Sequence, residues 1–136
     1  MTKILLAYRP SAPADAALAF ALDEARMREA HLVVLASEKG PDHRRGAGTV
    51  DPRPLVDRLD ESGVEYELRT VPKRDDPADD ILAVAEREDI AMVVLGVRKR
   101  TPVGKILMGS TAQRVLMEAP CPVVCVKPEG FVPPAW

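Results

Sequence analysis

The stretch Ala91–Lys127, AMVVLGVRKRTPVGKILMGSTAQRVLMEAPCPVVCVK, holds a complete strand–loop–helix–strand unit. AMVVLG is apolar and β-branched at its centre, as expected for a strand buried on both faces. STAQRVLMEA has helical spacing, and PVVCVK is a second β-branched run before a Pro-rich tail. Between the first strand and the helix lies a loop with two glycines and four basic residues, Arg98, Lys99, Arg100 and Lys105.

Outward from this unit the same alternation repeats. KILLAY (Lys3–Tyr8) and HLVVLAS (His31–Ser37) are near-continuous apolar strands. Between them SAPADAALAFALDEARMREA places Ala14, Ala17, Leu18, Ala21, Leu22 and Ala25 on one helical stripe. EKGPDHRRGAGTVDPRP is rich in Gly, Pro and charge and reads as a loop. LVDRLDES follows as a short helix, with Gly63 suited to its C′ position. In VEYELRTV, Val64, Tyr66, Leu68 and Thr70 share one face, the alternation of an edge strand. In DDPADDILAVAERED, Asp76 suits a helix N-cap with Pro77 at N1, and Asp79 and Asp80 fall in the first turn, beside the positive end of the dipole. The order βαβαβαβαβ predicts a doubly wound, Rossmann-like α/β fold, an open sheet of five parallel strands with helices on both faces. Residues 1–136 read as one domain with no internal repeat, the tail from 127 to 136 carrying Phe131 and Trp136 among prolines.

Composition narrows the function. The chain has 136 residues, 46% hydrophobic and 29% charged, with net charge −2. That balance argues against a nucleic-acid binder, whose domain would be strongly basic. No apolar run is long enough to span a bilayer, and the Arg9-Pro10 pair cuts the first apolar run before a signal peptide could form. A cytoplasmic protein is expected. Cys121 and Cys125 in CPVVC would lie about 13 Å apart along a strand, too far for a disulfide. They read as small apolar side chains. His31 reads as the opening of a strand, and neither it nor His43 has a partner at metal-ligand spacing.

The basic loop follows a strand's carboxyl end and leads to a helix N-terminus, where doubly wound folds hold phosphate. Ser110 suits the N-cap of that helix, in an S-x-x-Q capping box with Gln113, and Gly109 permits close approach of an anion. Neither the P-loop nor the dinucleotide fingerprint fits. Gly104-Lys105 is followed by Ile106, and the first strand is followed by RPSAP.

The segment resembles the universal stress protein family, whose nucleotide-binding members carry Gly-x2-Gly-x9-Gly-Ser/Thr after the fourth strand. Here Gly96-Val97-Arg98-Lys99 is followed by nine residues and then by Gly109-Ser110. MVVLG before the loop and GSTAQRVLMEAPCPVVCVKP after it agree as well. The resemblance, over roughly Lys3 to Lys127, implies strand order 3-2-1-4-5 and homodimerisation through the last strand. It also implies an adenine nucleotide, ATP first and AMP second, set between the ends of strands one, two and four. Carried onto this chain, the binding residues are Ala7, Tyr8, Arg9, Ser37, Gly96, Arg98, Lys99, Gly109, Ser110 and Thr111. Two of these depart from the family pattern: Lys99 replaces the second Gly, and Arg9 replaces an Asp. Arg9 cannot hold a magnesium ion beside ATP as a carboxylate could, and with Arg98, Arg100 and Lys105 it gathers positive charge instead. The implied role is signalling rather than turnover, since no nucleophile with an orienting base is apparent; slow ATP hydrolysis remains compatible. A dimeric interaction protein without a nucleotide is the alternative.

Overall fold

The computed structural model describes residues 2–37, 54–71, 77–97 and 109–128. The elements are β1 (Lys3–Tyr8), α1 (Ala12–Arg28), β2 (His31–Ser37), α2 (Leu55–Glu61), β3 (Tyr66–Val71), α3 (Ala78–Arg87), β4 (Ile90–Gly96), α4 (Ser110–Glu118) and β5 (Val123–Val126). All strand pairs are parallel, in the order β3-β2-β1-β4-β5. The strand order that the resemblance implies is the one observed.

The apolar strands explain the layering. Alternate residues of β1 feed two cores: Ile4, Leu6 and Tyr8 pack under α1 and α2. Leu5 and the partly buried Ala7 pack on the opposite face, under α3 and α4. The helix α1 buries the whole predicted stripe, Ala14 through Ala25. Its small residues let it lie close to both β1 and β4. A slip in β4 pairs Lys3 with Ile90 but Ile4 with Met92. The extra residue, Ala91, is exposed. The bulge turns Ile90 and Met92 to opposite cores although they are two residues apart.

Local signals set the helix ends. Ser11 caps α1, its side chain accepting from Ala14 N. Glu29 closes α1 at φ 51°, its N–H reaching Ala25 and Arg26 carbonyls. Gly63 follows α2 at φ 74°, a left-handed conformation that favours glycine. Three expectations need correction. The first carbonyl of α4 to be bonded is that of Gly109, from Gln113 N at 3.0 Å. The cap is therefore Gly109, in extended conformation. Ser110 is already helical and forms no capping box, because a residue inside the first turn cannot fold its hydroxyl back over that turn. In α3, Pro77 occupies the cap position with helical dihedrals instead of N1, so the helix starts one residue later than expected; Asp76 lies outside the described residues. β5 is also shorter than PVVCVK, spanning Val123–Val126. As expected, β3 is an edge strand, tied to the end of α3 by Arg69 and Glu88.

Candidate functional site

The order 3-2-1-4-5 places the reversal of chain direction between β1 and β4. Connections leave β1 toward one edge of the sheet and β4 toward the other, so their carboxyl ends bound a crevice. Two residues beyond the Leu6–Val94 pair lie Tyr8 and Gly96. Gly96 ends β4 opposite Val126 of β5, and Val97 N extends that ladder to Val126 O at 2.9 Å.

The start of α1 crosses this crevice. A Cβ on Gly96 would lie 2.5 Å from both C and O of Pro13 and 2.9 Å from Ala14 N. These are backbone atoms and cannot swing aside. Gly96 is therefore required by the approach of α1, whether or not a ligand also uses it.

Behind this contact lies a network that no local sequence signal reveals. The Tyr8 hydroxyl donates to Asp15 Oδ1 at 2.7 Å. Arg58 of α2 donates to the same oxygen at 2.7 Å and to the Tyr8 hydroxyl at 2.6 Å. Its guanidinium also lies 5.5 Å from the Tyr8 ring centroid. Burial, reinforced by the hydrogen bond to Asp15, pushes the Tyr8 phenol up to about 12. Burial works to lower Arg58, but its hydrogen bonds to Asp15 and Tyr8 outweigh it and raise the guanidinium above its ordinary value. A groove of about 330 Å³ runs between α1 and α2 from Asp15 and Arg58 to Arg26 and Ser62, and no strand residue lines it.

Arg9 follows Tyr8 directly. Ser11 Oγ donates to the Arg9 carbonyl at 3.0 Å while accepting from Ala14 N at 3.2 Å, which fixes the turn from β1 into α1. The Arg9 Nε is sealed from solvent and makes no hydrogen bond among the described residues.

Each sequence-predicted position can now be placed. Ala7 is half-buried against the α3/α4 core. Tyr8 is 4% exposed, its hydroxyl committed to Asp15 and Arg58. Ser37 ends β2 in register with Val71 of β3, two strands away from Gly96. Gly109 caps α4, and Ser110 and Thr111 open it. Arg98 and Lys99, with Arg100 and Lys105, lie outside the described residues. Among the described helices, α4 alone has no acidic residue in its first turn, and like α2 and α3 it has no side-chain cap. Among the described residues, no cluster of three or more His, Cys, Asp or Glu could hold a metal ion. No described helix is long and apolar enough to cross a membrane. Both cysteines are free, and burial raises both thiols, which disfavours the nucleophilic thiolate.

What the sequence reading missed is Asp15, Arg58 and the Ser11 cap. The cap was visible in PSAPAD, a serine before Pro and Asp of a first turn. The Arg58 contacts, spanning 43 and 50 residues, had no such signal.

The family model described as the universal stress protein family matches residues 1–127. A universal stress protein of Mycolicibacterium smegmatis is 35% identical over 130 residues, covering 94% of this chain and 99% of its own. Among solved structures, a universal stress protein from Archaeoglobus fulgidus superposes with TM-score 0.70 at 29% identity, covering 93% of this chain and 99% of that one. A structure of the universal stress protein from Archaeoglobus fulgidus in complex with dAMP gives TM-score 0.61 at 25% identity, with 93% and 98% coverage.

Proposed function

The chain belongs to the universal stress protein family, and from that premise we propose that it binds an adenine nucleotide, ATP foremost, at the carboxyl ends of β1 and β4. The observation that carries this reading is the donor-rich character of that crevice. The Arg9 Nε lacks an acceptor, and the α4 N-terminus has neither side-chain cap nor first-turn acid. A helix N-terminus left in this state attracts anions through its free amides and its dipole. The dAMP complex of the Archaeoglobus relative supports adenine as the base. The role we infer is ligand-dependent signalling in a cytoplasmic protein rather than turnover, because the site gathers donors and no activated nucleophile.

Calorimetry with ATP, AMP and inorganic phosphate tests this reading. Gly109 has φ −60° and ψ 155°, which valine adopts without strain. Gly109→Val is therefore expected to keep the fold and abolish nucleotide binding by blocking approach to the α4 amides. Full affinity in that variant, or a native protein that binds none of the three, would sink the proposal.

A dimer that works without nucleotide is the second reading, and one observation favours it. Gly96 is fully accounted for by the packing of α1, so the first glycine of the motif does not by itself imply a ligand. Mass spectrometry of small molecules released from protein purified without added nucleotide separates the two: an adenine nucleotide supports binding, and none supports the dimer.

A further inference from the structure

Resting on the nucleotide reading, we propose that Arg9 is the counter-charge to the nucleotide's phosphate and that the nucleotide binds without a divalent cation. Five of the seven described arginines are held by a carboxylate. A sixth, Arg87, is exposed in the last turn of α3, where a cation suits the helix dipole. Arg9 and Arg58 each have a buried Nε without an acceptor, but Arg58 is held through its other two nitrogens by Asp15 and Tyr8, whereas Arg9 has no such anchor among the described residues. The acid next along the chain, Asp15, is not available to it, because Tyr8 and Arg58 share its Oδ1.

The position is fixed as well as unpaired. Ser11 Oγ holds the Arg9 carbonyl and the first turn of α1 at once, so the backbone that carries the guanidinium is set before any ligand arrives. A buried guanidinium N–H without an acceptor is costly, and a phosphate oxygen is the acceptor that matches its charge and its planar donor fork. A divalent cation fits the same place poorly. A nucleotide-bound magnesium ion takes its oxygens from the phosphates, water and one or two carboxylates, and the Arg9 charge beside the phosphate repels it.

The test is calorimetric titration of the full chain with adenosine, AMP and ATP, first in EDTA and then in magnesium. AMP and ATP are expected to bind the native protein as tightly in EDTA as in magnesium. Arg9→Gln should weaken AMP binding by about tenfold or more, the loss of a charge-assisted hydrogen bond, while Arg9→Lys regains part of it. Adenosine, which lacks the phosphate, should distinguish far less between native and variant, which separates loss of a phosphate contact from loss of fold. AMP affinity unchanged by Arg9→Gln, or native binding that disappears in EDTA, overturns the assignment while leaving nucleotide binding intact. A native protein that binds neither adenosine nor nucleotide in either buffer overturns the nucleotide reading, and this inference with it.

Discussion

At the scale of single residues, glycine does two different jobs in this chain. Gly63 supplies a left-handed φ of 74° with open space around it, whereas Gly96 supplies the absence of a side chain. Because a methyl at Gly96 would lie 2.5 Å from the Pro13 carbonyl, Gly96→Ala must displace either the end of β4 or the start of α1. Overpacking of that kind costs about 1–3 kcal/mol. The expected result is a lowered urea midpoint with unchanged slope; a midpoint equal to that of the native protein would show that α1 yields without cost. The spacing of Gly96 and Gly109 was legible in the sequence, but the reason for Gly96 was not. It depends on a helix from the other half of the chain arriving at van der Waals distance. Arg9 shows the same division: its departure from the family residue is visible in the sequence, while its unpaired Nε depends on where Asp15 turns.

At the scale of elements, strands and helices were readable because each carries its own period. The α1 stripe of Ala14 to Ala25 came out where it was expected, while the alternation of β3 holds from Val64 to Leu68 and breaks at its end, where Arg69 is half-buried and Thr70 exposed. The first turn of α4 did not, since a Gly-Ser pair leaves the cap undecided until the backbone of both residues is known. The bond of α2 to the sheet was also invisible, because Tyr8, Asp15 and Arg58 come from three elements. That bond makes a further prediction. The Arg58 and Asp15 side chains are only 9% and 14% exposed, so Arg58→Met removes a cation from a mostly buried carboxylate and is expected to cost about 3 kcal/mol. Tyr8→Phe keeps the ion pair and should cost about 1 kcal/mol. The phenol's pKa is raised on folding from 10.0 to about 12, so the folded state retains a proton that the unfolded chain gives up. The corresponding stabilisation is complete below pH 10 and is lost as pH rises through about 12. Chemical denaturation across that window should therefore show a steeper fall for the native protein than for Tyr8→Phe. Parallel curves would mean that the phenol titrates as it does in the unfolded chain.

At the scale of the whole molecule, the two edges of the sheet are built differently. Edge strands expose unpaired backbone groups and are commonly protected by charge. The β3 edge carries Glu67 and Arg69, which pair with each other and, through Arg69, with Glu88. The β5 edge has no charged residue from Val123 to Val126, and all four of its residues are half-buried. Beside it, α4 exposes Leu116 at 44% and Met117 at 79%. An uncharged edge flanked by apolar side chains is the surface expected to associate, and a second copy can meet it strand to strand about a two-fold axis. We therefore predict a homodimer in which β5 pairs antiparallel with its copy. Val124 packs only partly, against the α1 side of the sheet, so Val124→Lys should be tolerated by the fold while placing like charges across the two-fold. Sedimentation velocity should then show a dimer for the native chain and a monomer for Val124→Lys, with matching far-ultraviolet circular dichroism. A native chain that sediments as a monomer at high micromolar concentration would refute the assembly. A Val124→Lys variant that stays dimeric would move the interface away from β5.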